Sequence, residues 1–166
     1  MDCGTIFFIS MSILNAQQQV LRKYTPRDTE GMSQAELAVC AQKNYAYMKK
    51  TGECRECMFV GLNEFRPDFS EKDVRGAFFE NLKGMGANFA GSNLQGATLK
   101  KSNFIFGSFV GANLENAIFH RAKLGNVCFA DARLKNACFS NCEMGKEGMK
   151  SSIDRRSARF TRNKVF

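Results

Sequence analysis

From Phe89 to Met144 a large apolar residue recurs at every fifth position: Phe89, Leu94, Leu99, Phe104, Phe109, Leu114, Phe119, Leu124, Phe129, Leu134, Phe139 and Met144. Two residues before each of these centres stands a smaller side chain: Ala87, Ser92, Ala97, Ser102, Gly107, Ala112, Ala117, Ala122, Val127, Ala132, Ala137 and Cys142. A period of five matches neither the 3.6 of a helix nor the 2 of a strand. It requires a backbone that turns at regular intervals. If each five-residue unit forms one side of a square, four units close a coil. The large side chains then fill the axis, and the small ones fit where the chain bends inward. Successive coils pair through parallel backbone hydrogen bonds about 4.8 Å apart. The product is a solenoid held together by stacking of neighbours. Its axis is too narrow for a ligand once Phe and Leu occupy it, and truncating one to Ala costs roughly 2–5 kcal/mol.

The same residues closely resemble the pentapeptide-repeat family, whose unit is a small residue, a polar residue that is often Asp or Asn, a Leu or Phe centre and two variable residues. Here the unit reads Ala87-Asn88-Phe89, Ser92-Asn93-Leu94, Ser102-Asn103-Phe104 and Ala112-Asn113-Leu114. The position before the centre departs from Asp or Asn at Thr98, Ser108, Ile118, Lys123, Cys128, Arg133, Cys138 and Glu143. The resemblance implies an all-β solenoid, a right-handed quadrilateral β-helix; the handedness comes from the resemblance and not from the spacing. It also implies a non-enzymatic binding or regulatory protein.

Upstream the phase is less regular. Phe59, Phe69, Val74 and Phe79 keep register, but Glu64 and Gly84 fall at centres, and Pro67 and Lys72 replace small residues. The expected division is an N-terminal capping segment over 1–56, a repeat β-helix over 57–148 with its regular part at about 77–144, and a basic tail over 149–166. Residues 57–76 are expected to be an irregular first coil or a loop.

The capping segment follows from the needs of a solenoid end, which exposes apolar centres and unpaired backbone. Ser33-Gln34-Ala35-Glu36 reads as a capping box that starts a helix from Gln34 to about Lys50, stopped by Thr51-Gly52. Leu37, Ala41, Tyr45 and Met48 form its apolar stripe. A shorter helix is expected around Ser12 to Lys23, with a break at Thr25-Pro26. Ile6-Phe7-Phe8-Ile9 is too short to span a membrane and has no basic segment before it, so a cytoplasmic protein is expected.

Charge is unevenly placed. Of the net +8, residues 149–166 carry six basic side chains and one acidic. Arg155, Arg156, Arg159, Arg162 and Lys164 interrupt an apolar series in this tail. It reads either as a segment packed on the last coil or as a contact for nucleic acid or an anionic surface. A second basic group lies within the repeat. With four units per coil, Lys100 stands beside His120 and Lys101 beside Arg121, with Lys123 at the next corner. These five residues are expected to form a basic patch on one face and are the polar candidates for partner binding. Ile105 and Phe106, outside the centre and small positions, are the apolar candidates. They serve a partner, a homodimer or the N-terminal helix as cover.

No Ser-His-Asp or Cys-His arrangement forms around His120, so no catalytic residue, metal or cofactor is expected. Cys54-Arg55-Glu56-Cys57 has the spacing of a redox pair or half a zinc site. Cys57 also fits the repeat as an inward small residue, which makes a structural role the better reading. Seven cysteines, an odd number, argue against a complete disulfide framework. Recurrent Asn residues, among them Asn88, Asn103, Asn116 and Asn136, are expected at outer corners, where amides satisfy turn backbone. The function expected is a protein–protein interaction scaffold or regulatory binding protein working through its outer faces. The alternatives are nucleic-acid or anionic-surface binding through the tail, and DNA-mimic binding to a type II topoisomerase. The resemblance offers the last, but it calls for strong negative charge that this chain lacks.

Overall fold

The computed structural model describes residues 23–145 and 158–165. Its helix α1, Gln34–Thr51, begins at the expected capping box: Ser33 Oγ accepts the Glu36 N–H, and the Glu36 carboxylate accepts from the Ser33 backbone. It ends at Gly52, whose left-handed φ of 82° turns the chain out. A 3₁₀ turn at Pro26–Thr29 precedes it. The shorter helix expected from Ser12 lies outside the described residues, apart from Lys23.

The rest is a four-sided parallel β-solenoid of about five turns. One side is a six-stranded sheet, in the order β1 (Met58–Val60), β2 (Phe78–Glu80), β3 (Thr98–Lys100), β4 (Ile118–His120), β6 (Cys138–Ser140) and β8 (Arg159–Thr161). The adjoining side is three-stranded: β5 (Lys123–Leu124), β7 (Glu143–Met144) and β9 (Lys164–Val165). The two remaining sides are joined by isolated parallel bridges such as Asn88↔Ser108 and Asn93↔Asn113. The phenylalanine side is centred on Phe69, Phe89, Phe109 and Phe129, and the leucine side on Val74, Leu94, Leu114 and Leu134.

Register explains the interior. Phe79 pairs with Leu99 and Phe119 with Phe139, each one coil on, so equivalent centres stack directly. Phe69 and Phe89 stack with centroids 4.7 Å apart, as do Phe89 and Phe109, while rings from different sides meet edge to face. Every centre from Phe89 to Phe139 is at most 2% exposed. Offset-parallel and T-shaped ring contacts add to the burial energy of each Phe.

The coil reaches beyond its expected regular part at both ends. Phe59 pairs with Phe79 in register and stacks on it at 4.8 Å, and Glu53 bridges Asp73. The phase break at Gly84 is repaired locally. Leu82, in the position normally held by a small residue, is 1% exposed, and a Cβ on Gly84 would stand 3.0 Å from its side chain. Large and small have exchanged places, so the volume inside the coil is kept. At the other end, Phe139 pairs with Phe160, and Met144 with Val165. The described part of the tail is therefore a final coil: Ala158-Arg159-Phe160 repeats the unit one residue out of phase. Asn163 secures it, its Oδ1 accepting the Cys142 N–H at 2.8 Å and its Nδ2 donating to Phe139 O at 3.0 Å.

Helix α1 closes the first coil. Tyr45 packs on Phe69 with centroids 5.2 Å apart, and its hydroxyl accepts the Asp68 N–H. Asn44 is fully buried. Its Oδ1 accepts the Tyr24 N–H and its Nδ2 donates to the carbonyls of Tyr24 and Met58, so one amide ties helix, leading segment and β1. Cys54 and Cys57 occupy successive inward positions of the first coil and form a disulfide. A free pair open to metal is therefore absent there. Among the described residues no three His, Cys, Asp or Glu side chains are placed to hold a metal ion.

Candidate interaction surface

Each five-residue unit points two side chains inward and three outward, the last of these at a corner. The corners adopt left-handed backbone throughout, from Glu56 (φ 57°) through Lys101 (48°), Phe106 (61°) and Arg121 (54°) to Arg162 (53°). The recurrent Asn residues fall into two classes, which corrects their expected common place at corners. Asn116, Asn126, Asn136 and Asn141 are corner residues with positive φ. Asn88, Asn93, Asn103 and Asn113 precede centres, and each Oδ1 accepts the backbone N–H two residues on at 3.1–3.2 Å.

The five polar candidates do not share one face. Lys100 and His120 project from adjacent strands of the six-stranded side. Lys101 and Arg121 lie at its corner, and Lys123 lies beyond it on the three-stranded side. Their neighbours differ too. Lys101 Nζ forms an ion pair with Glu80 at 2.8 Å, and Lys100 Nζ sits 5.3 Å from the centre of the Phe78 ring. His120 Nδ1 shares a 2.9 Å hydrogen bond with Ser140 Oγ. The coil spacing itself brings this His–Ser pair together. It stands beside Lys100 on the six-stranded side, and among the described residues no carboxylate is paired with the imidazole.

The last coil extends these columns. Arg162 follows Lys101, Arg121 and Asn141 at the corner, because Asn141 N–H donates to Thr161 O as Arg121 N–H does to Ser140 O. Lys164 follows Lys123 and Glu143 in register. Arg159 continues the column of Ile118 and Cys138. The tail and the basic patch, separate in the sequence, thus form one cationic surface over two adjoining sides. Arg155 and Arg156 lie outside the described residues. The phase-shifted Ala158-Arg159-Phe160 unit is the sequence signal that could have revealed this.

Ile105 is half-buried and Phe106 is 64% exposed, and α1 caps the end of the coil rather than covering them. Two residues join them. Met85 and Phe65, one and two coils before Ile105, stand in the same outward column, and Phe65 is 78% exposed. Phe65, Arg66, Met85, Gly86 and Phe106 line an open recess of about 320 Å³. Arg66 crosses it over Gly86, where any Cβ would stand 2.9 Å from Arg66 Cγ, and its guanidinium lies 5.4 Å from the Phe65 ring centre. Phe65 and Arg66 were hidden from sequence reasoning because the phase lapses at Glu64.

The leucine side is built differently. Asp73 accepts from Arg55 at 2.7 Å and from Arg75 at 2.8 and 2.9 Å, and Arg133 pairs with Glu115 at 2.6 Å. The Arg75 hydrogen bonds, followed by Arg55, pull the Asp73 carboxyl down to about 2. Burial pushes the Cys142 thiol up to about 11, whereas Cys128 is exposed.

No described helix is long and apolar enough to cross a membrane. The family model for pentapeptide repeats (8 copies) matches over residues 68–104, 99–136 and 108–144. Rfr23, a pentapeptide repeat protein of the cyanobacterium Cyanothece, has a similar structure, with TM-score 0.58 and 16% identity over 75% of this chain and 95% of its own. HetL of the cyanobacterium Nostoc, involved in heterocyst differentiation regulation, aligns with TM-score 0.36 and 17% identity over 68% of this chain and 44% of its own. QnrB1, a plasmid-mediated fluoroquinolone resistance protein, aligns with TM-score 0.38 and 13% identity over 70% of this chain and 85% of its own. No relative was found among curated protein sequences. At these identities the likeness is one of fold. Residues 68–144 match the pentapeptide-repeat family model, and the solenoid is the fold of solved pentapeptide repeat proteins.

Proposed function

We propose that this protein is a non-enzymatic interaction scaffold or regulatory binding protein that contacts an acidic macromolecular partner through the outer surface of its coil. One observation carries the reading: Lys101, Arg121 and Arg162 in one column, and Lys123 and Lys164 in the next, line adjoining sides of a rod whose axis is filled with Phe and Leu. A filled axis leaves recognition to the outside. Lys101 and Arg121 are like charges at coil spacing and repel, a cost offset when an acidic surface docks, while Asn141 and Glu143 stand between them and the cations of the last coil. DNA mimicry calls for the opposite sign of charge on these two sides. Binding through the tail merges with the main reading, since Arg162 and Lys164 belong to the same surface.

The test is affinity capture from lysate by wild type, Lys101→Glu/Arg121→Glu and Arg162→Glu/Lys164→Glu. Charge reversal is preferred to deletion of the tail, because deletion would also remove Phe160 from Phe139. A partner held by wild type and lost by both variants supports one shared surface. Retention by both variants overturns it.

A further inference from the structure

The basic columns and the aromatic recess are neighbours, and their combination is more specific than either alone. We infer that the three-stranded side and its two corners bind single-stranded nucleic acid, with phosphates along the lysine and arginine columns and bases stacked at the recess between Phe65 and Phe106. This rests on the reading of the outer surface as the contact and names its partner.

An acidic protein requires the charges but not exposed rings. A single strand requires both, because every base has a face that stacks on an aromatic side chain while the backbone seeks cations. Lys83, Asn103, Lys123, Glu143 and Lys164 succeed one another down the three-stranded side. Lys101, Arg121 and Arg162 flank it at one corner and Phe106 stands at the other. Phosphate-binding and base-stacking groups are thus separated by one five-residue side of the coil.

The recess suits a flat ring. Phe65 and Phe106 stand two coils apart, about 9.6 Å along the coil axis at parallel-strand spacing, and one position apart around it. Between them the corner is Gly86, over which the Arg66 side chain lies. Arg66 offers a guanidinium face there, a further stacking partner. Asn63 and Asn103 line the adjoining hollow with Lys83, where amides reach base edges. Three carboxylates oppose an anion. Glu80 is already paired with Lys101, Glu143 lies between Lys123 and Lys164, and Glu64 lines the hollow. The strongest phosphate contact therefore falls at Arg121, which stands between Lys101 and Asn141, with Lys83 and Lys123 adding to it. Among the described residues these sides consist of short strands and corners, with no helix laid across them to enter a duplex groove, which favours an unpaired strand.

The test titrates fluorescein-labelled oligothymidylate of about 20 nucleotides with the full chain, followed by anisotropy at several salt concentrations. Duplex DNA and polyglutamate serve as competitors. Wild type binds the single strand, and affinity falls steeply with salt. Phe106→Ala weakens binding about tenfold without changing the salt dependence, and Phe106→Trp restores it. Lys83→Glu/Lys123→Glu weakens binding and flattens the salt dependence. Circular dichroism confirms that each variant stays folded. Three results overturn the inference: no oligonucleotide binding, indifference to Phe106→Ala, or displacement by polyglutamate as effective as by the unlabelled strand. If lysate capture is still lost with Lys101→Glu/Arg121→Glu in those cases, the scaffold reading survives with an acidic protein as partner. If capture is indifferent as well, both readings fall.

Discussion

Two halves of the same coil solve one backbone problem in different ways. Corners bordering the leucine side carry Gly76, Gly96, Asn116 and Asn136, residues that accept left-handed φ at little cost. Corners bordering the three-stranded side carry Arg66, Lys101, Phe106, Arg121 and Arg162 in the same conformation. A left-handed residue with a full side chain costs roughly 1–2 kcal/mol. The division is incomplete, since Glu56 and Glu71 are also left-handed in the first coils, and Asn81, Gly86, Asn126 and Asn141 relieve the costly columns. The second contrast runs in parallel. On the leucine side carboxylates neutralise arginines within 2.6–2.9 Å, whereas the cations of the three-stranded side and its corners face outward with Glu80 as the one recorded ion-pair partner among the described residues. Backbone strain and uncompensated charge fall on the same half of the rod. That coincidence supports the proposed contact surface, because left-handed corners with full side chains cost the fold.

The largest expected effect separates inside from outside. Phe109→Ala empties a ring stacked at 4.7 Å on Phe89 and 5.1 Å on Phe129 and lowers unfolding free energy by about 3–5 kcal/mol in denaturant titration. Phe106→Ala, three positions away and 64% exposed, stays within about 0.5 kcal/mol of wild type. Equal losses would dissolve the distinction.

Corner exchange is next. A Cβ at Gly96 meets nothing within 4 Å, so Gly96→Lys isolates the cost of the left-handed backbone and destabilises by about 1–2 kcal/mol. Arg121→Asn, in the column of Asn81 and Asn141, raises stability by about 0.5–1 kcal/mol while weakening partner capture. Loss of both stability and capture would show that Arg121 is structural.

Acid titration probes the paired half. The Asp73 carboxyl sits at about 2 when folded against an ordinary 3.8, so the folded state binds fewer protons in that interval. Its contribution is complete above pH about 4 and is lost as pH falls towards 2. Asp73→Asn should remove that part of the acid dependence of the melting temperature. An unchanged profile would mean that the Arg55–Asp73–Arg75 cluster is energetically idle. Smallest in energy is thiol labelling: near pH 8, iodoacetamide modifies exposed Cys128 rapidly and Cys142, held at about 11, only on unfolding.

Much of this was legible without coordinates. The capping box at Ser33 is a contact between positions three apart, and the five-residue period repeats a contact between one unit and the equivalent unit of the next coil. Such signals survive in a linear string because each partner lies at a constant offset. The exchange of Leu82 and Gly84 escaped the pattern because packing conserves volume rather than position. The pairing of Lys101 with Glu80 escaped because outward side chains are free of the repeat.

By itself the sequence determined the coil, its cap and which side chains point inward, since all three follow from short, repeated offsets and the need to bury Phe and Leu. Only the tertiary structure decided that Phe160 follows Phe139, that Arg162 and Lys164 join the columns of Lys101, Arg121 and Lys123, and that Phe65 stands across from Phe106. Once the period lapses, position around the rod depends on where the chain re-enters the stack. That is settled by ring stacking and backbone pairing in three dimensions.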